Sequence, residues 1–130
     1  MNLGDKIREL MESVILVTSL DNSVRVSTHC LYPSNGTVSV SVRKHFDSFV
    51  VSDDGDAIRE AERSGLNIYK IDNRLKHLVK MQGLLVKNGA IYSPPIPLNA
   101  IPAVVLLVAN ASKEAANWML GSIKMKGLSR

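Results

Sequence analysis

Three aspartates between residues 53 and 56 form the densest group of side chains in this sequence that could do chemistry. Asp53, Asp54 and Asp56 follow the apolar run 49–51. Carboxylates at this spacing can bind Mg²⁺ for phosphate-ester hydrolysis, so a metal-dependent hydrolase or nuclease is one hypothesis. Acids are also favoured at a helix start, where Asp53 or Asp54 can accept hydrogen bonds from free N–H groups. We interpret the cluster as a capped strand-to-helix turn and expect no metal.

The other residue types with catalytic or metal-binding potential are scattered. His29, His45 and His77 show none of the short spacings typical of zinc ligands. Cys30 is the one cysteine of the chain; a lone cysteine on an alternating strand is typically a small core residue, and it permits no internal disulfide. Ser52 lacks the glycines of a nucleophile elbow. We therefore favour a non-catalytic protein without a cofactor over an enzyme.

Alternating patterns predict the strands that must position these residues. Segments 24–30 and 37–43 alternate apolar and polar residues, with Asn35-Gly36 between them, which is a strong hairpin signal. We expect Ser39 and Ser41 on a solvent-exposed face together with Arg25 and Arg43. The sequence predicts an α+β fold, with an antiparallel meander over residues 14–52 and a later hairpin over 84–92, packed against helices.

Four segments have helical spacing. The first begins at Asn2 or Asp5, and the second follows Asp54 and closes at 64–66. The third begins at Asp72 or Asn73 and ends at Gly83. The last is the longest: it begins near 99–100, because Pro102 is tolerated only in a first turn, and it ends at about residue 123. Trp118 lies on its apolar stripe, and we expect it in the core.

Length, composition and hydropathy limit the class of protein. A chain of 130 residues with 45% hydrophobic content is predicted to form a single domain over residues 1–130. The longest apolar run, 101–109, is far shorter than the roughly 20 residues of a membrane span. The first residues carry Asp5 and Glu9 and show no signal peptide. We expect a cytoplasmic protein that does not bind membranes, and its oligomeric state stays open.

Charge is distributed unevenly along the chain. Residues 1–66 carry seven Lys and Arg against ten Asp and Glu, whereas residues 67–130 carry nine against two. This asymmetry has two interpretations. It indicates an acidic partner for the second half, either nucleic acid or a protein of a nucleic-acid-processing complex, or it reflects lysines that only solvate helix faces. The predicted basic face consists of Arg74, Lys76, Lys80, Lys87, Lys124 and Lys126. A secondary candidate face consists of Arg25, Arg43 and Lys44.

The strand-to-helix junction also carries a resemblance. Segment 49–55, the helix after it and the Tyr32-Pro33 turn are similar to a small bacterial and phage family of uncharacterised domains, which has a Ser-Asp-Gly-Gly type of turn. The first glycine of that turn is Asp54 here. The resemblance implies a prokaryotic, phage- or mobile-element-borne protein, for example an inhibitor of host defence such as an anti-restriction or anti-CRISPR protein. It implies no catalytic residue.

Overall fold

The alternating valines of the sequence build one antiparallel sheet. The computed structural model describes residues 3–10, 16–19, 23–63 and 72–128. In this part of the chain the strands are β1 (Leu16–Ser19), β2 (Val24–Leu31), β3 (Thr37–His45), β4 (Ser48–Ser52), β5 (Leu85–Lys87) and β6 (Ala90–Tyr92). They form a six-stranded sheet in the order β1-β2-β3-β4-β6-β5, and neighbouring strands are antiparallel throughout. The meander and the later hairpin therefore share a sheet.

Helices form the second layer. In the described residues they are α1 (Leu3–Leu10), α2 (Asp56–Arg63), α3 (Asp72–Val79) and α4 (Ile101–Leu128), with 3-10 turns at Lys80–Gln82 and Leu98–Ala100. Pro102 lies in the first turn of α4, as predicted, and the helix continues past residue 123 to Leu128. The predicted close of α2 at 64–66 lies outside the described residues. The α+β prediction, with a long C-terminal helix, is confirmed.

The core lies between the sheet and the helices. Val26, Val40 and Val51 are fully buried on one face of the sheet, and they share a hydrophobic cluster with Ile7 of α1 and Val105 of α4. Residues of α2 and α3, including Ala57, Ala61, Leu75 and Val79, belong to the same cluster. Because side chains alternate along a strand, the residues between the valines lie on the opposite face, which we call the outer face of the sheet.

Two predictions about burial are wrong. Ser39 and Ser41 lie on the outer face, but both are buried rather than solvent-exposed. They belong to β3, which is paired on both sides, so larger side chains of neighbouring strands such as Arg25 can shield them. Trp118 is half-buried against the core, not enclosed by it, because the stripe of α4 that enters the core runs through Ala115, Ala116 and Met119 instead.

The second hairpin is fixed beside β4 by backbone hydrogen bonds. Asn88 and Gly89 both have positive φ, as a two-residue type I′ turn requires. The Asp53 N–H donates to the Ile91 carbonyl at 2.9 Å, and the Ser93 N–H donates to the Val51 carbonyl at 2.8 Å. The proline-rich segment that follows is extended, as predicted, and Ile96 and Phe49 exchange two hydrogen bonds. The β5–β6 hairpin therefore meets the strand-to-helix turn directly.

Over the described ranges, each helix is too short or too polar to cross a lipid bilayer.

Candidate functional site

The acidic turn joins β4 to α2 through two residues in left-handed conformation. Asp54 has φ +54° and Gly55 has φ +80°, and the Asp56 N–H donates to the Asp53 carbonyl at 3.0 Å. The Ser52 hydroxyl accepts a hydrogen bond from the Asp54 N–H at 3.0 Å. Aspartate is one of the few non-glycine residues that tolerate this conformation. A glycine would also suit the position of Asp54.

Asp53 is the capping residue, and its carboxylate does more than cap. It is 1% exposed. Oδ1 accepts hydrogen bonds from the backbone N–H groups of Gly55 at 2.9 Å and Ile91 at 2.8 Å. Oδ2 accepts from the Ser112 hydroxyl at 2.7 Å and, over a long 3.5 Å, from the Ala57 N–H of α2. One carboxylate thus joins β4, α2, β6 and α4.

The hydrogen-bond chain continues to Tyr32 in the loop between β2 and β3. The Tyr32 hydroxyl lies 2.8 Å from Ser112 Oγ. Ser112 has one hydroxyl proton and donates it to Asp53, so Tyr32 must be the donor to Ser112. Burial raises the pKa of Tyr32, and burial also raises the pKa of Asp53 despite its hydrogen bonds. The chain is closed to solvent, and we interpret it as a structural network.

Asp54 and Asp56 each have an arginine partner. The Asp54 carboxylate lies 3.6 Å from the Arg43 guanidinium, and the Asp56 carboxylate lies 3.1 Å from that of Arg59. Each of the three carboxylates therefore has its own partners. In the described residues, no group of three or more His, Cys, Asp or Glu side chains is arranged to hold a metal ion. This geometry gives the hydrolase hypothesis no support.

Adding Mg²⁺ should therefore leave the melting temperature unchanged. A ligand that binds only the folded state raises the melting temperature in proportion to its occupancy, and these carboxylates offer no common site. Thermal melts over a series of MgCl₂ concentrations, compared with NaCl at matched ionic strength, measure this. A rise that is specific to Mg²⁺ and grows with its concentration would revive the hydrolase hypothesis.

The cysteine and histidines are not brought together as a nucleophile and its base. The Cys30 thiol lies 3.3 Å from Asn110 Oδ1, to which it donates a weak hydrogen bond. His29 is on β2, His45 at the end of β3 and His77 on α3. Ser52 uses its hydroxyl oxygen to accept the Asp54 N–H inside the turn. These residues therefore form no nucleophilic site, and the remaining candidates for function are the exposed cations.

Four basic or titratable side chains form an exposed surface on α3 and the turn after it. Arg74, Lys76, His77 and Lys80 are exposed, and we call them the α3 basic patch. Spacings of three and four residues connect them on the helix surface, while Leu75 and Val79 face the core. Asp72, the nearest acid in the sequence, accepts a hydrogen bond from the Gly89 N–H at 3.0 Å instead of pairing with the patch.

The structure divides the remaining predicted cations between two faces. Val86 is buried between exposed Leu85 and Lys87, so Lys87 points to the outer face of the sheet, away from the core side where α3 packs. Arg25 and Arg43 share that outer face. Lys44 pairs with Phe49, which packs against the core, so Lys44 lies on the core-facing side at the end of its strand. The side chains of Lys124 and Lys126 lie outside what the structure describes.

Sequence reasoning missed two features of the molecule, a buried glutamate and an exposed aromatic ring. Glu60 of α2 is buried and accepts a 2.7 Å hydrogen bond from the Ser34 hydroxyl and a 3.2 Å ion pair from Arg63. The pairing with Arg63 follows helical spacing and could have been predicted; the contact with Ser34 could not. Phe46, at the tip of the β3–β4 hairpin, is exposed. The sequence signal for its exposure was the position of Phe46 directly after Arg43, Lys44 and His45.

Neither a protein-family model, nor a curated protein, nor a solved structure matches the chain.

Proposed function

We propose that this is a non-catalytic binding protein that engages an acidic macromolecule through the α3 basic patch. The partner belongs to nucleic-acid processing: either nucleic acid itself or an acidic surface of a protein complex that handles it. The resemblance at the strand-to-helix junction supports an origin in a phage or mobile element, and an inhibitor of host defence is the most specific version of the proposal.

The observation that carries the proposal is a concentration of cations without counter-charges. Among the described residues, no carboxylate lies within ion-pair distance of Arg74, Lys76 or Lys80. Segment 64–71, which precedes α3, contains no acidic residue in its sequence. Like charges at helical spacing destabilise a helix slightly. Lys76 and His77 lie in the last turn of α3, where positive charge suits the helix dipole. That effect needs fewer cations than the patch holds, so a partner that supplies negative charge is the reason we infer for the rest.

The patch can be changed without touching the core. Leu75 and Val79 hold α3 against the rest of the molecule, and both are buried. The Asp72 carboxylate fixes the β5–β6 turn and is not part of the patch. Reversing the charges of the patch should therefore leave the fold intact, so that a loss of binding reports on the interface.

The combined variant Arg74→Glu, Lys76→Glu and Lys80→Glu should abolish binding while keeping the wild-type circular dichroism spectrum. The deciding measurement is binding to random duplex and to single-stranded DNA at about 50 and about 200 mM salt. Three phosphate contacts, each contributing a slope of roughly −0.9, predict about a 40-fold loss of wild-type affinity over that range. The matched control reverses Lys44, Lys87 and Lys113, which lie outside both the α3 basic patch and the Arg25–Arg43 pair and give the same net charge.

The outcomes distinguish nucleic acid from an acidic protein as the partner. If the wild type binds neither duplex nor single-stranded DNA at the lower salt, nucleic acid is not the partner. An acidic protein is then expected, whose association slows with salt while its buried contacts persist. If both triple variants lose binding equally, net charge and not the α3 basic patch is responsible. A folded α3 variant that keeps full affinity for the partner would refute the proposal.

A further inference from the structure

The tip of the β3–β4 hairpin carries an aromatic residue where the backbone disfavours one. Among the described residues, four that are not glycine have positive φ: Asn35, Phe46, Asp54 and Asn88. Three of them are Asn or Asp, which tolerate this conformation through their short polar side chains. Phe46, with φ +54°, is the exception, because a bulky residue there is a true conformational outlier. The hairpin would fold better with Asn or Gly at this position.

Packing of the Phe46 side chain within the fold does not offset that strain. It is 86% exposed. Within the described part of the chain its one ring contact is with the adjacent His45, edge to face, with the centroids 4.9 Å apart and the planes at 80°. A contact that leaves so much of the ring in water covers little apolar surface. A residue that breaks a local rule without a gain in packing indicates a contact outside the molecule.

The surroundings of the ring are basic. Arg43, Lys44 and His45 lead into the tip, and Asp47 is the one acid of the turn. Arg43 lies on the outer face of the sheet, diagonal to Arg25, because Arg25 pairs with Ser41 two residues before it. The Arg43 side chain is 60% exposed and its distance to the Asp54 carboxylate is 3.6 Å, a loose ion pair that a second anion can share.

A buried hydroxyl between these arginines lacks a partner. Ser41 is 3% exposed, and its Oγ makes no hydrogen bond within the described part of the chain. Beside it, the Ser27 and Ser39 hydroxyls pair with each other at 3.0 Å. An unsatisfied buried polar group is costly. The Ser41 Oγ is covered, so an anion between Arg25 and Arg43 would accept its hydrogen bond only after the covering side chains move to hold the anion.

We propose that the hairpin tip and the adjacent outer face bind single-stranded nucleic acid. A base stacks on Phe46, one phosphate lies at Arg43, and the next lies toward Arg25 and Ser41. An exposed ring beside cations is the combination by which proteins hold unpaired strands. A duplex keeps its bases stacked inside and cannot use the ring. The inference rests on the proposed function and names the form of nucleic acid, at a surface distinct from the α3 basic patch.

The test uses fluorescence anisotropy of a labelled oligo(dT) and of a duplex of equal length, at about 50 and about 200 mM salt. Phe46→Asn should weaken oligo(dT) binding by about 5- to 150-fold, the range that removal of one base-stacking contact implies. The same variant should raise the melting temperature, because asparagine suits the left-handed φ. Phe46→Trp should keep the wild-type affinity. Arg43→Gln should make the salt slope shallower by about 0.7, which is one phosphate contact on a single strand.

Leu106→Ala is the control, since Leu106 is an exposed apolar residue on α4; it should change nothing. Wild type that does not bind oligo(dT) at the lower salt, or Phe46→Asn that binds it as tightly as wild type, would overturn the inference. If oligo(dT) binding is lost only on reversal of the α3 basic patch, the proposed function stands and this inference fails. If Phe46→Asn instead disrupts a complex with a purified protein partner, the ring is a protein anchor and the inference is likewise overturned.

Discussion

Replacing Asp53 with alanine should lower the free energy of unfolding by about 3–5 kcal/mol. The substitution leaves three buried donors without their acceptor: the N–H groups of Gly55 and Ile91 and the hydroxyl of Ser112. Each buried group left unsatisfied costs about 1–3 kcal/mol, and partial relaxation of the turn keeps the total below the sum. Urea denaturation with a common m-value measures the change.

Asp54→Ala is the matched control at the neighbouring position. It removes a carboxylate that is paired loosely with Arg43 and places alanine at a positive φ, so a smaller loss is expected. If the two variants lose equal stability, the network around Asp53 is not what holds the junction. The loss of stability for Asp53→Asn should lie between the losses for Asp53→Ala and Asp54→Ala, because the asparagine amide oxygen can still accept two of the N–H groups.

The same network gives a pH dependence with a defined sign. Burial raises the pKa of Asp53 above its ordinary value, so as pH falls the folded protein takes up this proton before the unfolded chain does. The contribution of the carboxyl to stability is therefore greatest below the pKa of the unfolded chain and is lost as pH rises through the folded pKa. The stability of the wild type relative to Asp53→Asn should fall from acid to neutral pH; a rise would mean that the hydrogen bonds outweigh burial.

The role of Asp53 shows what the sequence could and could not predict. An acid after an apolar strand and before an amphipathic segment predicts a cap, and the carboxylate does accept from the turn and from α2. Its stronger partners, Ile91 and Ser112, lie 38 and 59 residues away in the chain. Local propensity contains no information on such contacts, because they depend on the placement of the β5–β6 hairpin and α4 across the sheet.

The same limit applies to the charged surfaces. Helical periodicity placed Arg74, Lys76 and Lys80 on the exposed side of α3, since that spacing is local and regular. The prediction that Lys87 belongs to the same basic face is wrong, because the side of Lys87 depends on which face of the sheet α3 covers. Alternation correctly predicted the buried valines of β2 and β3, but it took Ser41 as exposed because the pattern distinguishes faces and not degrees of shielding.

Among the glycines whose surroundings the structure describes, Gly89→Ala should be the most damaging substitution. It should lower the free energy of unfolding by about 2–4 kcal/mol. Gly89 has φ +80°, which an alanine adopts only with strain. A Cβ built at this position would lie 2.6 Å from Ile58 Cδ1, closer than packed carbon atoms approach. Ile58 is buried on α2, so relief of the contact requires its side chain or the hairpin to move. Gly83→Ala separates the two causes, because Gly83 has φ +73° and nothing lies within 4 Å of its added Cβ.

The difference between the two alanine variants therefore measures the contact with Ile58 alone. Ile58→Val deletes the clashing Cδ1 and by itself should cost about 0.5–1.5 kcal/mol. In the Gly89→Ala background the same deletion should cost less or restore stability, so that the double variant is more stable than the sum of the single losses predicts. Additive losses, or equal losses for Gly83→Ala and Gly89→Ala, would show that steric contact between the hairpin turn and α2 contributes nothing. Backbone strain would then account for the whole effect.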